Sequence, residues 1–290
     1  MPNSKSATTV ESRGVQSVEA GARILSAMVE IGSPAMLRDI AARAATTSAQ
    51  AHAYLVSFRK TGFVEQDAAT GRYLLGPFAL QLGLSRMRQV DTLRLAGQTA
   101  ADLAAEFGLM VTLSVWGTHG PTIVQVQDSE APIHVNLRAG GVYTLSGTAT
   151  GRLFAAFLPE RVVKPLLSDE LRPGGQQRAI GVPTSKEALA TSTARIRIDG
   201  CSTTAGSPVP GVNAIAVPIF DHTGHMQCAL TLIGPEREVS IDPAGPMAQR
   251  AIEVGRDLSA RLGYVEQRAS ESMPEETATR PSRRAARAAG

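Results

Sequence analysis

The sequence predicts two domains of different class: an N-terminal winged helix-turn-helix, mainly α, and a C-terminal α+β domain on an antiparallel sheet, joined by a linker helix. Three observations carry this. The chain has 290 residues, and at about 100–200 residues per domain two domains are expected. From Val15 onward three apolar stripes at helical spacing are followed by a short hairpin within about 60 residues, which describes a winged helix-turn-helix. Beyond Asp91, strand-like runs occur in hairpins with helices between them, the pattern of an α+β domain.

Residues 1–14 are polar and aperiodic and read as a disordered tail. In the segment 15–77, Val18, Ala22, Ile24, Leu25, Met28 and Val29 repeat at spacings of three and four. Ser17 is the expected N-cap of this helix, and Gly32-Ser33-Pro34 ends it. A short second helix turns Leu37, Ile40, Ala41 and Ala44 inward. Thr47 or Ser48 caps a third, which runs to about Lys60 with Ala51, Tyr54, Leu55 and Phe58 on one face, and Thr61-Gly62 stops it. Phe63–Gln66 and Arg72–Leu75 read as strands joined by a tip at Asp67–Gly71. Residues 78–90 are an amphipathic linker helix with Phe78, Leu80, Leu82 and Leu84 as its stripe.

In the segment 91–264, Leu93–Phe107 reads as a helix near Asp91. Leu109–Val115, Thr122–Gln127, Ile133–Leu137, Asn213–Phe220 and Met226–Ile233 read as strands. Gly147–Phe157, Pro159–Leu167, Lys186–Ile198 and Ala244–Leu262 read as helices, with a loop at Leu171–Pro183. Residues 265–290 are rich in Glu, Ser, Ala and Arg without an apolar stripe and read as a second disordered tail.

Composition narrows the function. With 43% hydrophobic and 19% charged residues the chain has apolar material for sizeable cores. No apolar run approaches the roughly 18 residues of a membrane span, and Met1-Pro2-Asn3-Ser4-Lys5-Ser6 lacks the apolar core of a secretory signal. The chain is therefore read as cytoplasmic, without a membrane partner. Cys201 and Cys228 are too few for a disulfide framework or a four-thiolate zinc site and read as small buried residues. Residues 1–90 hold ten basic and six acidic side chains, a net +4, against −2 for residues 91–264 and +1 for the tail. A polyanion, if any, is expected at the front.

The segment Leu37–Leu55 carries the sharpest signal. A helix-turn-helix needs a small residue where its helices touch, supplied by Ala41, and apolar inner faces, supplied by Ile40, Ala51 and Tyr54. The turn Ala44–Thr47 has the right length, with Ala45 where many such motifs have Gly. The second helix then offers Ser48, Gln50, His52 and Ala53 outward to a major groove. Gln50 is suited to bridging adenine N6 and N7, and His52 to a base or phosphate. Arg59, Lys60 and Arg72 are placed for phosphates. The groove face is otherwise poor in cations, which counts against tight non-specific binding. The plainer alternative is a three-helix unit without a DNA partner.

No G-x-S-x-G, H-E-x-x-H, P-loop or G-x-G-x-x-G occurs. Ser146 has no evident base partner, and Asp221, His222 and His225 read as polar residues of a hairpin turn. No catalytic residue, metal ligand or cofactor is therefore assigned.

At this point the chain resembles the IclR-type transcriptional regulators, over residues 15–262. Val15-Gln16-Ser17-Val18-Glu19-Ala20 is similar to the family's opening "(I/V)QSVERA". Ala49–Leu55 is similar to its recognition segment "STVHRLL", with His52 in place but Ala53 where Arg is usual. Gly62–Gln66 with Gly71–Pro77 is similar to its wing, "GLV…GRYRLGP". Gly147–Arg152 is similar to "HATAxGK", Gly211–Phe220 to "GVRAIAAPV", and Leu230–Pro235 to "LSVSGP".

The resemblance implies a GAF-like C-terminal domain that binds a small effector, often an organic acid or aromatic catabolite. It also implies dimers or dimers of dimers on palindromic operators. Carried over residue by residue, the effector site falls on Ala149, Thr150, Thr204, Ala214, Thr231 and Ile233. Two departures stand out. Cys201–Ser207 has no acid where the family usually carries Asp or Glu near Thr204, and Ile233 stands where a small hydroxyl residue is common. Both imply a less charged, more apolar pocket. The expected function is an effector-responsive regulator of catabolic genes on duplex operator DNA. The alternative is a small-molecule-sensing or catalytic GAF-like domain beside a helical module that does not bind DNA.

Overall fold

The computed structural model describes residues 14–128, 135–172, 179–182 and 184–266. The expectations for the two tails fall almost wholly outside these residues. The chain divides into two compact units between Val90 and Asp91.

In the first unit α1 (Gln16–Ile31), α2 (Leu37–Arg43) and α3 (Ser48–Lys60) close around Ile24, Ile40, Ala51 and Leu55. Ser17 does not cap α1. The Val15 carbonyl already accepts from Val18 N and Glu19 N, so the helix starts earlier and Ser17 lies within its first turn. Gly32 ends it at φ +69°, its N–H returning to the Met28 carbonyl. Thr47 caps α3, its hydroxyl accepting from Gln50 N at 3.2 Å. The hairpin is β1 (Val64–Gln66) against β2 (Tyr73–Leu75), with Glu65 opposite Leu74. Val64 and Tyr73 point into the helical core. Ala35 adds an antiparallel bridge to Tyr73, which pins the α1–α2 connection to the wing.

The helix α4 (Pro77–Gln89) starts with Pro at its first turn, where a missing N–H costs nothing. Phe78 stacks edge-on against Phe63 at 4.7 Å. None of its residues is buried: Leu80 is 64%, Leu82 46% and Leu84 44% exposed.

The second unit runs α5 (Thr92–Phe107), β3 (Met110–Gly117), β4 (Gly120–Gln127), α6 (Ala149–Phe157), α7 (Glu160–Glu170), α8 (Lys186–Asp199), β5 (Ser202–Thr204), β6 (Val212–Phe220), β7 (Met226–Pro235) and α9 (Pro246–Arg261). Its sheet is antiparallel, in the order β4-β3-β7-β6-β5. Period-two alternation separates the two faces. One carries Val111, Leu113, Ile215, Val217, Leu230 and Leu232, and α5 and α9 cover it. The other carries Thr112, Ser114, Ala214, Ala216, Ala229 and Thr231, and α6 packs there.

Three expectations need correction. Of the strand expected at Ile133–Leu137, Ile133 and His134 lie outside the described residues, and 135–137 form no strand. Residues 140–143 lie along β4 instead, with Ile123 N donating to the Gly141 carbonyl and Tyr143 N to that of Pro121. The strand β5 was not anticipated, because Ser-Thr-Thr has no apolar alternation to reveal it. The expected loop at 171–183 contributes Ile180, which bridges to Tyr143.

Ala45, in the helix-turn-helix turn, has φ +50° and is the one non-glycine residue with positive φ among those described. The left-handed region crowds a Cβ against the following carbonyl. Ala45→Gly should therefore raise stability by about 0.5–1 kcal/mol despite the added chain entropy. Urea unfolding of the two proteins checks this, and an unchanged or lowered midpoint would show that the turn is unstrained.

Candidate functional site

Two sites emerge, one in each unit. In the first, Ala51 and Leu55 of α3 are fully buried, so its opposite face is left to solvent. Ser48, Gln50, His52 and Ala53 are all exposed there. Gln50 is the most constrained of them: its Oε1 accepts from the Thr46 hydroxyl at 2.8 Å, next to the capping bond at its own N–H.

The expected phosphate ligands Arg59, Lys60 and Arg72 are exposed, but two are already engaged. Arg59 Nη1 donates to Gln66 Oε1 at 2.9 Å, tying α3 to the wing. Arg72 Nη1 donates to the Pro34 carbonyl at 3.0 Å. At the wing tip Asp67 Oδ1 accepts from Ala69 N and Thr70 N. These bonds, led by that from Thr70, hold its carboxyl below the usual carboxylate range. Arg38 and Arg43 pair with Asp39 and Glu30. The face is thus polar, with few uncommitted cations among the described residues.

In the second unit a cavity opens between the start of α6, the strands β5, β6 and β7, and the segments around Tyr143, Ile180 and Pro208. Ala149, Thr150, Thr204, Ala214, Thr231 and Ile233 all line it. These residues are brought together because β5, β6 and β7 set Thr204, Ala214 and Ile233 side by side in register. Thr204 sits on the strand β5.

The cavity measures about 40 Å3, roughly three times what one ordered water needs. Thr150 and Thr231 share a hydroxyl–hydroxyl bond of 2.8 Å across it. The Thr204 hydroxyl is buried without a partner among the described residues. Thr148 caps α6 by accepting from Gly151 N. The first-turn N–H groups of Ala149 and Thr150 lie beyond the reach of any helical carbonyl. No charged residue lines the cavity among those described.

Sequence reasoning missed two residues here. Tyr143 lines the cavity, 4% exposed, its hydroxyl 3.3 Å from that of Thr112. It stands alone in an irregular segment, where no periodicity marks it. Glu170 is 3% exposed and accepts from Leu145 N, Ser146 N and the Ser146 hydroxyl. The sequence shows no base partner for Ser146; in the fold its hydroxyl donates to the Glu170 carboxylate. Glutamate in a helix normally reads as solvated surface, and nothing local marks this one as buried.

Both thiols are buried. Burial pushes Cys201 up to about 11 and Cys228 up to about 12. In the β6–β7 turn Asp221 is taken up by Thr223 and His225 N–H groups, the Thr223 hydroxyl and Gln227. Among the described residues no three His, Cys, Asp or Glu are grouped to hold a metal, and no helix is long and apolar enough to cross a membrane.

Comparison with known proteins agrees for both units. The family model described as "IclR helix-turn-helix domain" matches residues 17–68, and that described as "Bacterial transcriptional regulator IclR C-terminal" matches residues 85–260. The Glycerol operon regulatory protein of Streptomyces coelicolor is 30% identical over 86% of this chain and 98% of its own length. The HTH-type transcriptional regulator XynR of Escherichia coli is 25% identical, again over 86% and 98%. The crystal structure of Pseudomonas aeruginosa HmgR superposes with a TM-score of 0.74 at 34% identity, covering 87% of this chain and all of that one. The matched families and relatives are transcriptional regulators, not enzymes.

Tyr143 supplies a pH signature. Burial raises its phenol from 10.0 to about 12, only partly offset by the bond to Thr112. The folded protein then holds this proton more tightly than the unfolded chain. Its contribution to stability is full below pH 10 and is lost as pH rises towards 12. Ultraviolet titration should show one of the four tyrosines ionising last, and Tyr143→Phe should remove that step. A last step surviving in the variant would place the raised phenol elsewhere.

Proposed function

We propose that this chain, which belongs to the IclR family of bacterial transcriptional regulators, binds palindromic operator DNA and controls catabolic genes in response to a compact, largely apolar carboxylic acid, aromatic acids included. It carries a helix-turn-helix DNA-binding domain and a C-terminal effector domain. It acts in the cytoplasm as a homodimer or a pair of dimers. Exposed Phe78 and Leu82 on one side of α4, and Leu80 and Leu84 on the other, support self-association, because so much apolar surface is poorly solvated. Ser48, Gln50 and His52 read bases, and Arg59, Lys60 and Arg72 meet phosphates.

The observation that carries the effector reading is the unpaired Thr204 hydroxyl in an uncharged cavity at the N-terminus of α6. A buried hydroxyl without a partner is costly, and a ligand oxygen would satisfy it. The Ala149 and Thr150 N–H groups, at the positive end of the helix dipole, suit a carboxylate. Ile233, Val135 and Leu137 offer the rest of the ligand apolar contact. The lack of charge among the described lining residues and the cavity's small volume favour a compact monoacid over a sugar acid or a cation. A larger molecule enters only if the lining parts.

Two experiments test this. Full-length protein should retard an operator duplex, selected from a random pool, with steep salt dependence. Gln50→Ala should weaken it by about 1–3 kcal/mol per half-site and relax preference at one base position. A change confined to the salt slope would remove Gln50 from the base readers.

For the cavity, a thermal-shift screen with benzoate, phenylacetate and gluconate should show stabilisation by the aromatic acids. Thr204→Val should raise ligand-free stability by about 1 kcal/mol and lower that response. Stabilisation by gluconate alone would overturn the effector class proposed.

A further inference from the structure

Glu170 is a feature of the second unit that packing alone does not require. It is the last residue of α7 and is 3% exposed. Among the described residues it makes no ion pair. A carboxylate there meets the negative end of the helix dipole and loses its hydration, both unfavourable. An aliphatic side chain would extend the cluster of Val163, Leu167, Leu145 and Leu189 without either cost. What offsets them is a set of three donors on one turn. One carboxylate oxygen takes Leu145 N at 2.5 Å, and the other takes Ser146 N at 3.0 Å and the Ser146 hydroxyl.

That turn is tied to the cavity on every side. Ser146 Oγ also accepts from Thr184 N at 2.8 Å, and its carbonyl accepts from Thr184 Oγ1 at 3.1 Å and Arg152 Nε at 2.7 Å. Thr144 N donates to the Ile180 carbonyl, and Ile180 N to that of Val142. Thr148, two residues on, caps α6. A Cβ at Gly151 would strike the Thr144 carbonyl, and one at Gly147 the Val182 carbonyl, so the turn has no slack. Tyr143, Thr148 and Ile180, all lining the cavity, therefore depend on where one buried carboxylate holds residues 145 and 146.

We propose that Glu170 is a positioning residue for the effector cavity. Its carboxylate fixes the turn 144–148, so that the first N–H groups of α6 stand ready for a ligand, and it links ligand seating to α7 and to Thr184. This rests on the effector reading of the cavity.

The test is Glu170→Gln in the full-length protein. An amide offers one acceptor and one donor, so it cannot serve both Leu145 N and the Ser146 pair. Benzoate affinity should fall roughly tenfold or more, as for other residues that orient a site from behind, while operator affinity without benzoate stays unchanged. Amide exchange at Ala149 and Thr150 should quicken. Emission from Trp116, the single tryptophan, which lies 5.9 Å from Phe154 of α6, should shift. Ser146→Ala, which keeps both N–H bonds, should show the same changes in smaller measure. Unchanged benzoate affinity overturns the proposal. So does tighter benzoate binding, which would mean that Glu170 only repels the anion. Should the wild type bind no acid, the effector reading fails by itself, and exchange and emission decide the positioning role: both unaltered, it is wrong. Should Glu170→Gln not fold, Ser146→Ala decides in the same way.

Discussion

Side-chain alternation along β6 and β7 is the constraint on which the second unit depends. Ile215, Val217, Leu230 and Leu232 project from one face, and Ala214, Ala216, Ala229 and Thr231 from the other. The aliphatic face makes an ordinary core with α5 and α9: Gly255 packs so close to β6 that a Cβ there would lie 3.2 Å from the Pro218 carbonyl. The opposite face has too little apolar volume for a dense core by itself. Its alanines let α6 approach closely, and Thr112, Thr150 and Thr231 place hydroxyls between helix and sheet. A cavity with polar spots in an uncharged wall follows from that deficit of volume. A one-residue slip in register would exchange the two faces and abolish both core and cavity.

The first unit relies on a different economy. Three short helices bury few large side chains, and the hairpin supplies Val64 and Tyr73 to complete their core. The bridge from Ala35 to Tyr73 and the bond from Arg59 to Gln66 fix the wing to the helices from two directions. The recognition helix and the wing therefore move as one body, and a spacing set by one is kept by the other. The arginines that hold this body together are partly withdrawn from the surface potential of the face.

Most of this architecture was legible in the sequence because its signals are local. Helical periodicity placed α1 to α3, turn residues placed the hairpins, and five cavity residues fell on motifs that resemble a known family. What was not legible depends on distant partners. The strand β5 exists because β6 offers it an edge, not because Ser-Thr-Thr favours extension. Ser17 looks like a cap, yet the helix begins where the Val15 carbonyl finds its donors. Tyr143 is drawn into the cavity by bridges to Thr122 and Ile180 segments that no periodicity announces. Glu170 has the composition of surface and the environment of core, and only its three donors on a turn twenty-four residues away explain it.

The clasp of Thr46 and Thr47 on Gln50 bears on how such a protein searches a chromosome. A free glutamine loses much of its rotamer freedom when it docks on a base edge, at a cost of up to about 2 kcal/mol. Here that freedom is already restricted before any DNA arrives, since both the amide oxygen and the backbone N–H of Gln50 are held by threonine hydroxyls. The face around it carries few uncommitted cations among the described residues, which leaves few charges for the phosphates of an arbitrary sequence. Under the proposed reading, Gln50 would meet a base edge from a pose the two threonines already hold, so less rotamer entropy would be lost on docking.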